Sequence, residues 1–345
     1  MDYFRFTAPD LAIDIGTACT RAMRLDNHTM VVEPSVVALE VKKMQIVALG
    51  EEAKALLGKS PENIIAIHPL QHGVIADYDL TRAMLEHYLR RLLPGVSLVA
   101  PRIGVSYPSG ATDVERQALE DACLQAGARR VFLVEESLAC AYGTKRINTI
   151  TKGALVLNLG AGTTEIAIVN SYGLIVTETM KIGGKDLDQD IIHFIRDKYS
   201  LMIGSSTAEN VKKTLGTLRE DRQNDAMEVS GRDLVTGMPK NIDIYASDVT
   251  QAILPFIHRV SDALRITLEK TPPELAADVM ERGLLLSGGG AQLDGLSEYL
   301  VQEVHVPTSL SSHPEEDVLF GCRYVMENRE EITGKGARHD SLQKG

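Results

Sequence analysis

Apolar and polar positions alternate along this chain in two rhythms, and the switches between them outline its elements. LAIDIG (11–16) is a short apolar run closed by Gly16. Runs at Arg21–Leu25 and Met30–Leu39 follow, so the chain opens as a β-meander. Helical spacing then places Leu80, Met84, Tyr88 and Leu89 on one side of a helix over 79–91, with Asp79 as its cap. Arg102–Tyr107 reads as a buried strand. Thr112 and Glu115 form a capping box for a helix carrying Val114, Ala118, Ala122 and Cys123. Val131–Val134 is the next strand, and Leu138–Tyr142 starts another helix.

The pattern then restarts. Ala154–Leu159 is an apolar run, Gly160-Ala161-Gly162-Thr163-Thr164 is a glycine turn bearing hydroxyls, and Ile166–Val169 is again a strand. Asp14-Ile15-Gly16-Thr17 and Asn158-Leu159-Gly160-Ala161-Gly162-Thr163 are two versions of one strand-turn unit, about 144 residues apart. The repeat predicts a duplicated α/β protein with two related lobes facing each other. Helices are expected at 186–199 and 247–269. Leu284–Leu286 is a strand running into Ser287-Gly288-Gly289-Gly290, which opens a helix over Leu293–Leu300. The tail from Asn328 is polar and charged and is expected to be disordered.

Glycine-hydroxyl turns let backbone N–H groups approach phosphate oxygens, because no Cβ stands in the way. A carboxylate ending the first strand, Asp14, is the hard oxygen donor that Mg²⁺ prefers. Neither turn fits G-x-x-x-x-G-K-[ST], and no G-x-G-x-x-G follows the first strand, so P-loop and Rossmann readings fail. A length of 345 residues exceeds one ordinary core, in keeping with two lobes. The net charge of −11 disfavours nucleic acid as a partner. No apolar run is long enough to span a membrane, and MDYFRFTAPD lacks the features of a secretory signal, which predicts a soluble, intracellular chain. The four cysteines are scattered, and His68 and His72 lie in a loop broken by Pro69 and Gly73, so neither set reads as a metal site.

An ordered series of segments resembles the actin-like ATPase superfamily and, within it, the bacterial MreB filament family. DIGTACT (14–20), EPSVVAL (33–39), HGVIADYDLTRAML (72–85) and VERQALEDACLQAGARRVFLVEESLACAYG (114–143) come in the family's order. GALVLNLGAGTTEIAIV (153–169), KIGGKDLDQDII (181–192), TAENVKKTLG (207–216) and PPELAADVMERGLLLSGGGAQLDGL (272–296) continue it. The resemblance runs from about Leu11 to Asn328. It implies an actin-like fold, two lobes each with a large and a small subdomain around a cleft for ATP and Mg²⁺. The implied divisions are IA at 1–31, 73–145 and 319–345, IB at 32–72, IIA at 146–180 and 243–318, and IIB at 181–242.

By the same resemblance, Asp14 organises Mg²⁺ through water, and Gly16, Thr17, Ala18, Cys19 and Thr20 form the first phosphate loop. Asn158, Gly160, Ala161, Gly162, Thr163 and Thr164 form the second. Glu135 positions the attacking water, with Thr163 as its catalytic companion. Glu209, Lys212 and Lys213 meet the nucleoside, and Gly288, Gly289 and Gly290 flank the adenosine phosphate. The implied function is assembly into filaments of its own copies at the inner face of the cell membrane, alongside membrane morphogenesis proteins, guiding wall synthesis and shape. Two apolar features are expected to serve as membrane anchors: Tyr3, Phe4 and Phe6, clustered in the first six residues, and the loop Leu92–Val99, where the resemblance places a membrane-inserting hairpin.

The chain departs from the family at telling places. Asn158 stands where the family has aspartate, Ala161 where it usually has glycine, Cys19 for asparagine and Ser137 for proline. Loss of a carboxylate beside the metal predicts intact nucleotide binding with slow hydrolysis. It also keeps open a catalytically weakened paralogue scaffolding some other structure. A small-molecule kinase of the same superfold is the remaining alternative, but it needs a carboxylate base that only Glu135 could supply.

Overall fold

Leu11–Ile15 is buried at every position, and so is Ala154–Leu159, as expected of strands covered on both faces. Each is the middle strand of a five-stranded mixed sheet in a computed structural model that describes residues 4–145, 152–170 and 172–328. The first sheet runs, edge to edge, Met30–Pro34, Cys19–Arg24, Leu11–Ile15, Arg102–Tyr107 and Arg130–Glu135. The second runs Gly173–Met180, Thr164–Asn170, Ala154–Leu159, Leu284–Ser287 and Thr308–Leu310. In both, the first three strands form an antiparallel meander and the last two join in parallel. The duplication read from two short motifs therefore extends to the whole of both sheets.

Each lobe also carries a smaller antiparallel sheet, inserted after its meander. Gln45–Leu49, Val37–Glu40 and Ile64–Ile67 form the first; Leu201–Met202, Ala226–Asp233 and Pro239–Tyr245 form the second. The predicted run Met30–Leu39 is thus two strands in different sheets. It breaks after Pro34, which has no N–H to donate to a ladder.

Helices follow the same repeat. Tyr78–Leu92 and Ala246–Glu269 follow the two insertions, and Asp113–Gln125 and Leu296–Val304 connect the parallel strands. The Thr112–Glu115 capping box is present. The cap of the first helix is Asp77 and not Asp79: the Asp77 carboxylate accepts the Leu80 N–H at 3.0 Å. The segment expected as a helix over 293–300 begins only at Leu296. The glycines before it form a 3-10 turn over Gly289–Gln292. Leu92 ends its helix with 1% exposure, inside the first lobe's core, so it is not available as a membrane anchor. The rest of that loop includes a strand, Val96–Val99, which pairs in parallel with Phe4–Thr7. Tyr3 and the tail beyond Asn328 lie outside the described residues.

The lobes are joined by two exchanged helices. Glu136–Gly143 leaves the first sheet and packs on strands of the second, and Asp317–Glu327 leaves the second sheet and packs on strands of the first. Their small residues, including Ala139, Cys140 and Cys322, form a shared core between the sheets. The backbones nearly touch. A Cβ on Gly321 would lie 1.8 Å from the Ala139 carbonyl oxygen, and one on Gly143 would lie 1.9 Å from that of Asp317. Side chains larger than hydrogen have no room at this crossing.

Gly321→Ala is therefore expected to destabilise the protein by about 3 kcal/mol or more, since the obstructing atoms are backbone. Urea unfolding of parent and variant measures this, and a change of under about 0.5 kcal/mol would contradict the close crossing.

Candidate functional site: a cleft between two glycine turns

Both glycine turns open at the ends of the middle strands, so the repeat itself makes them face each other. The first, after Ile15, is braced from behind. Ser35 donates to the Gly16 carbonyl at 2.7 Å, and the Gly73 N–H donates to Thr17 Oγ1 at 2.9 Å. The second closes on itself through Gly160 N–H to Thr163 O at 2.9 Å. Gly162 lies so near the first turn that a Cβ there would come 2.5 Å from Thr17 Oγ1. His72 Nδ1 lies 3.3 Å from the Gly162 carbonyl. Between the turns lies a cleft of about 1040 Å³, at the top of the range of small-molecule sites, about 300–1,000 Å³.

Most predicted site residues meet there. Asp14, Gly16, Thr17, Ala18, Cys19, Asn158, Gly160, Ala161, Gly162 and Thr163 line it. Glu209, Lys212, Lys213, Gly288, Gly289 and Gly290 line it as well. Gly288 has φ +84°, and a Cβ on it would press on the Leu159 carbonyl and the Asn158 amide. Lys212 is tied to Asp188 and to the Gly184 carbonyl, each at 2.7 Å, and Lys213 pairs with Glu209 at 2.6 Å.

Three expectations are corrected. Thr20 is fully buried behind the first turn and shares a hydrogen bond of 2.8 Å with Ser35, so it does not reach the cleft. Thr164 likewise points inward and donates to the Ile182 carbonyl. The glutamate facing the cleft is Glu136 and not Glu135. Glu135 ends a strand opposite Tyr107 and lies near that ring and Arg116, whereas Glu136 begins the exchanged helix and lines the cleft. No periodicity separates two adjacent glutamates at a strand-to-helix junction.

Asp14, Glu136 and Glu165 form a buried acidic group around Asn158. Ser106 donates to Asp14 Oδ1 at 2.9 Å, and Asn158 Nδ2 donates to Glu136 Oε2 at 3.4 Å. Glu165, opposite Asn158 in the ladder, accepts from the Ser109 N–H at 2.6 Å and from Ser137 Oγ at 2.6 Å. Burial pushes all three carboxyls up. For Glu136 the neighbouring Glu165 and Asp14 push further; for Asp14 the Arg21 guanidinium and Ser106 partly oppose the rise. Desolvated carboxylates on the wall of an open cleft, with glycine cradles beside them, match the oxygen-donor chemistry of a hydrated divalent cation and a phosphate chain.

Several residues of the cleft escaped the sequence reading. Arg21 and Glu315 form an ion pair across the back, joining the lobes, and Gln292 donates to Glu315 at 3.0 Å. His68, expected only as a loop residue, lines the cleft with Nδ1 2.9 Å from the Ser35 carbonyl; burial, then Lys185, lowers its pKa to about 4. Lys185 also enters the cleft. Its signal in the sequence was a cation directly after Gly183-Gly184 at a helix start, where the helix dipole disfavours one.

Two lobes of matching topology, exchanged helices and a cleft between paired glycine turns define an actin-like fold. A family model described as MreB/Mbl protein matches residues 8–334. The cell shape-determining protein Mbl of Bacillus subtilis is 34% identical over 325 residues, covering 94% of this chain and 98% of its own. Among solved structures, MreB5 of Spiroplasma citri bound to ADP superposes with a TM-score of 0.88 at 32% identity, covering 95% of this chain and 99% of that one. The same protein bound to AMPPNP gives 0.89 at 31%, covering 96% and 99%. A MamK double helical filament gives 0.79 at 20% identity, covering 92% and 99%, a likeness of fold. The chain belongs to the MreB/Mbl family.

Because the native state raises the Glu136 pKa, it holds a proton that the unfolded chain releases. Stability thus falls as pH rises from the ordinary carboxylate range toward the raised value. Without nucleotide and in chelator, Glu136→Gln is expected to raise stability at neutral pH, by about 1.4 kcal/mol for each unit of raised pKa below that pH. Thermal unfolding of both proteins across the acid-to-neutral range is the check. A variant less stable than the parent at neutral pH would contradict the buried charge.

Proposed function

We propose that this protein binds ATP with Mg²⁺ in the cleft between its lobes and assembles, in a nucleotide-dependent way, into filaments of its own copies at the inner face of a bacterial membrane. There it would act with membrane morphogenesis proteins in determining cell shape. The observation that carries the reading is the facing pair of glycine turns with Asp14 at the root of the first. Membership of a family whose named relatives include a cell shape-determining protein, and whose MreB5 binds ADP and AMPPNP, supports it.

Asp14 would hold Mg²⁺ through water, and the turn N–H groups, with Thr17 and Thr163, would hold the phosphates. ATP would supply the transferable phosphoryl group. Glu136 would orient the attacking water, helped by Thr163. The Asn158 amide, a neutral group where the family has a carboxylate, would hold Glu136 in place but orient metal-bound water less firmly. Turnover would therefore be slow and filaments persistent, a reading that keeps the weakened paralogue as the alternative. We assign the four subdomains to the ranges implied by the resemblance, the two small inserted sheets forming most of IB and IIB.

Membrane association rests on the parallel pairing of Phe4–Thr7 with Val96–Val99, which sets two apolar segments side by side with Leu98 exposed. Among the described residues no helix is long and apolar enough to cross a membrane, so the contact would be peripheral.

Asp14→Ala should abolish Mg²⁺-dependent ATP binding in calorimetry and ATP-dependent sedimentation; unchanged affinity would remove the site. On sedimented polymer, Asn158→Asp should speed phosphate release about tenfold if the stronger bond is worth about 1.4 kcal/mol, and Glu136→Ala should slow it. An aspartate variant no faster than the parent would remove the slow-turnover reading. Leu98→Ser with residues 1–7 deleted should release the protein from anionic liposomes without stopping assembly. Flotation equal to the parent's would rule out this edge as the anchor.

A further inference from the structure

Of the cations that line the cleft, Lys54 and Lys59 are exposed, and most of the others are spent. Lys212 is held by Asp188, Lys213 by Glu209, Arg21 by Glu315, and Arg222 by Asp225 and Asp294. Lys185 differs. Half-buried in the cleft, it forms no ion pair among the described residues; Asp188 and Glu209 act on it only through the field. Its Nζ donates to the backbone carbonyl of Thr17 at 3.1 Å. Its own N–H donates to the Ala161 carbonyl at 2.8 Å. The residue is thus rooted on the second glycine turn while its ammonium touches the first, spanning the interval between them. A neutral carbonyl uses one of the three ammonium donors and leaves the charge without a carboxylate in contact. The charge also sits at the second position of helix Gly184–Tyr199, at the positive end of its dipole, while Asp186 accepts the Gly183 N–H at 2.7 Å. Burial lowers its pKa to about 8, which leaves it largely protonated at neutral pH.

We propose that Lys185 is a ligand of the terminal phosphate of a nucleoside triphosphate, exchanging its Thr17 contact for a γ-phosphate oxygen and so distinguishing triphosphate from diphosphate. This rests on the nucleotide-binding reading above and names within it the residue that senses the third phosphate. The location selects that end of the ligand. The interval bridged by Lys185 lies between the two glycine turns, the part of the cleft that the nucleotide reading gives to the phosphates. A charged donor to a phosphate oxygen is stronger than its bond to a carbonyl, so the exchange is downhill when the third phosphate is present.

The test is calorimetric titration of the full chain with Mg²⁺-ATP and, separately, Mg²⁺-ADP, comparing parent, Lys185→Met and Lys185→Arg. Lys185→Met is expected to lose about tenfold or more in ATP affinity, the worth of one charge-assisted hydrogen bond. Its ADP affinity should change by less than about threefold, and Lys185→Arg should keep most of the preference for ATP. Equal losses for ATP and ADP would make Lys185 a structural residue, and an unchanged ATP affinity would make it a bystander; either overturns the proposal. A parent that binds neither nucleotide overturns the nucleotide reading instead. Should Lys185→Met fail to fold, Lys185→Gln carries the same comparison.

Discussion

The crossing of two helices at Gly143 and Gly321 is the constraint on which the rest of the molecule hangs. Each helix belongs by sequence to one lobe and packs on the sheet of the other, so the lobes are joined through a shared core as well as by the chain. The exchange sets the distance between the two middle strands, and with it the width of the cleft. A crossing this close leaves no space for relaxation by side-chain movement, because the nearest atoms are backbone carbonyls. The same helices begin with buried carboxylates. Glu136 opens one and lines the cleft, and Asp317, buried and held by Ser287 and Ser311, opens the other.

Acidic groups are concentrated on one side of the cleft, and most of its cations are paired. Asp14 and Glu136 lie on the cleft wall with Glu165 fully buried beside them, and burial is the largest cause that disfavours their ionised forms. On the second lobe Lys212 is neutralised by Asp188 of the preceding helix and Lys213 by Glu209 of its own. A site so organised favours a ligand that carries a cation at one face and phosphate oxygens at the other.

The departures of this chain from its family form a set when placed in the structure. Asn158 stands among three carboxylates, where an aspartate would add a fourth charge, and its amide donates toward Glu136. Ser137 supplies a hydroxyl to Glu165, a bond that a proline at that position could not make. Both changes ease the burial of carboxylates. Ala161 is tolerated because its backbone does the work of the turn, accepting the Lys185 N–H, while its methyl lies at the open cleft. Cys19 lines the cleft half-buried, and burial raises its thiol pKa, which leaves it protonated near neutrality.

Much of this was written locally. The buried strands at Leu11–Ile15 and Ala154–Leu159, the Thr112–Glu115 box and both glycine turns depend on residues within a few positions of each other, so the sequence alone determined them, and the repeat announced two lobes. Helix starts slipped where two acidic residues competed, as at Asp77 and Asp79, because only the backbone decides which carboxylate reaches the free N–H. Only the tertiary structure decided the rest. Glu136 rather than Glu135 faces the cleft because the first helical turn rotates it there. Thr20 and Thr164 turn inward because strand alternation sends them behind the turns. Leu92 became core because its helix ends against the first sheet. Lys185 acquired its place from a contact spanning 168 positions of sequence, and no local pattern encodes which distant carbonyl a flexible side chain will meet.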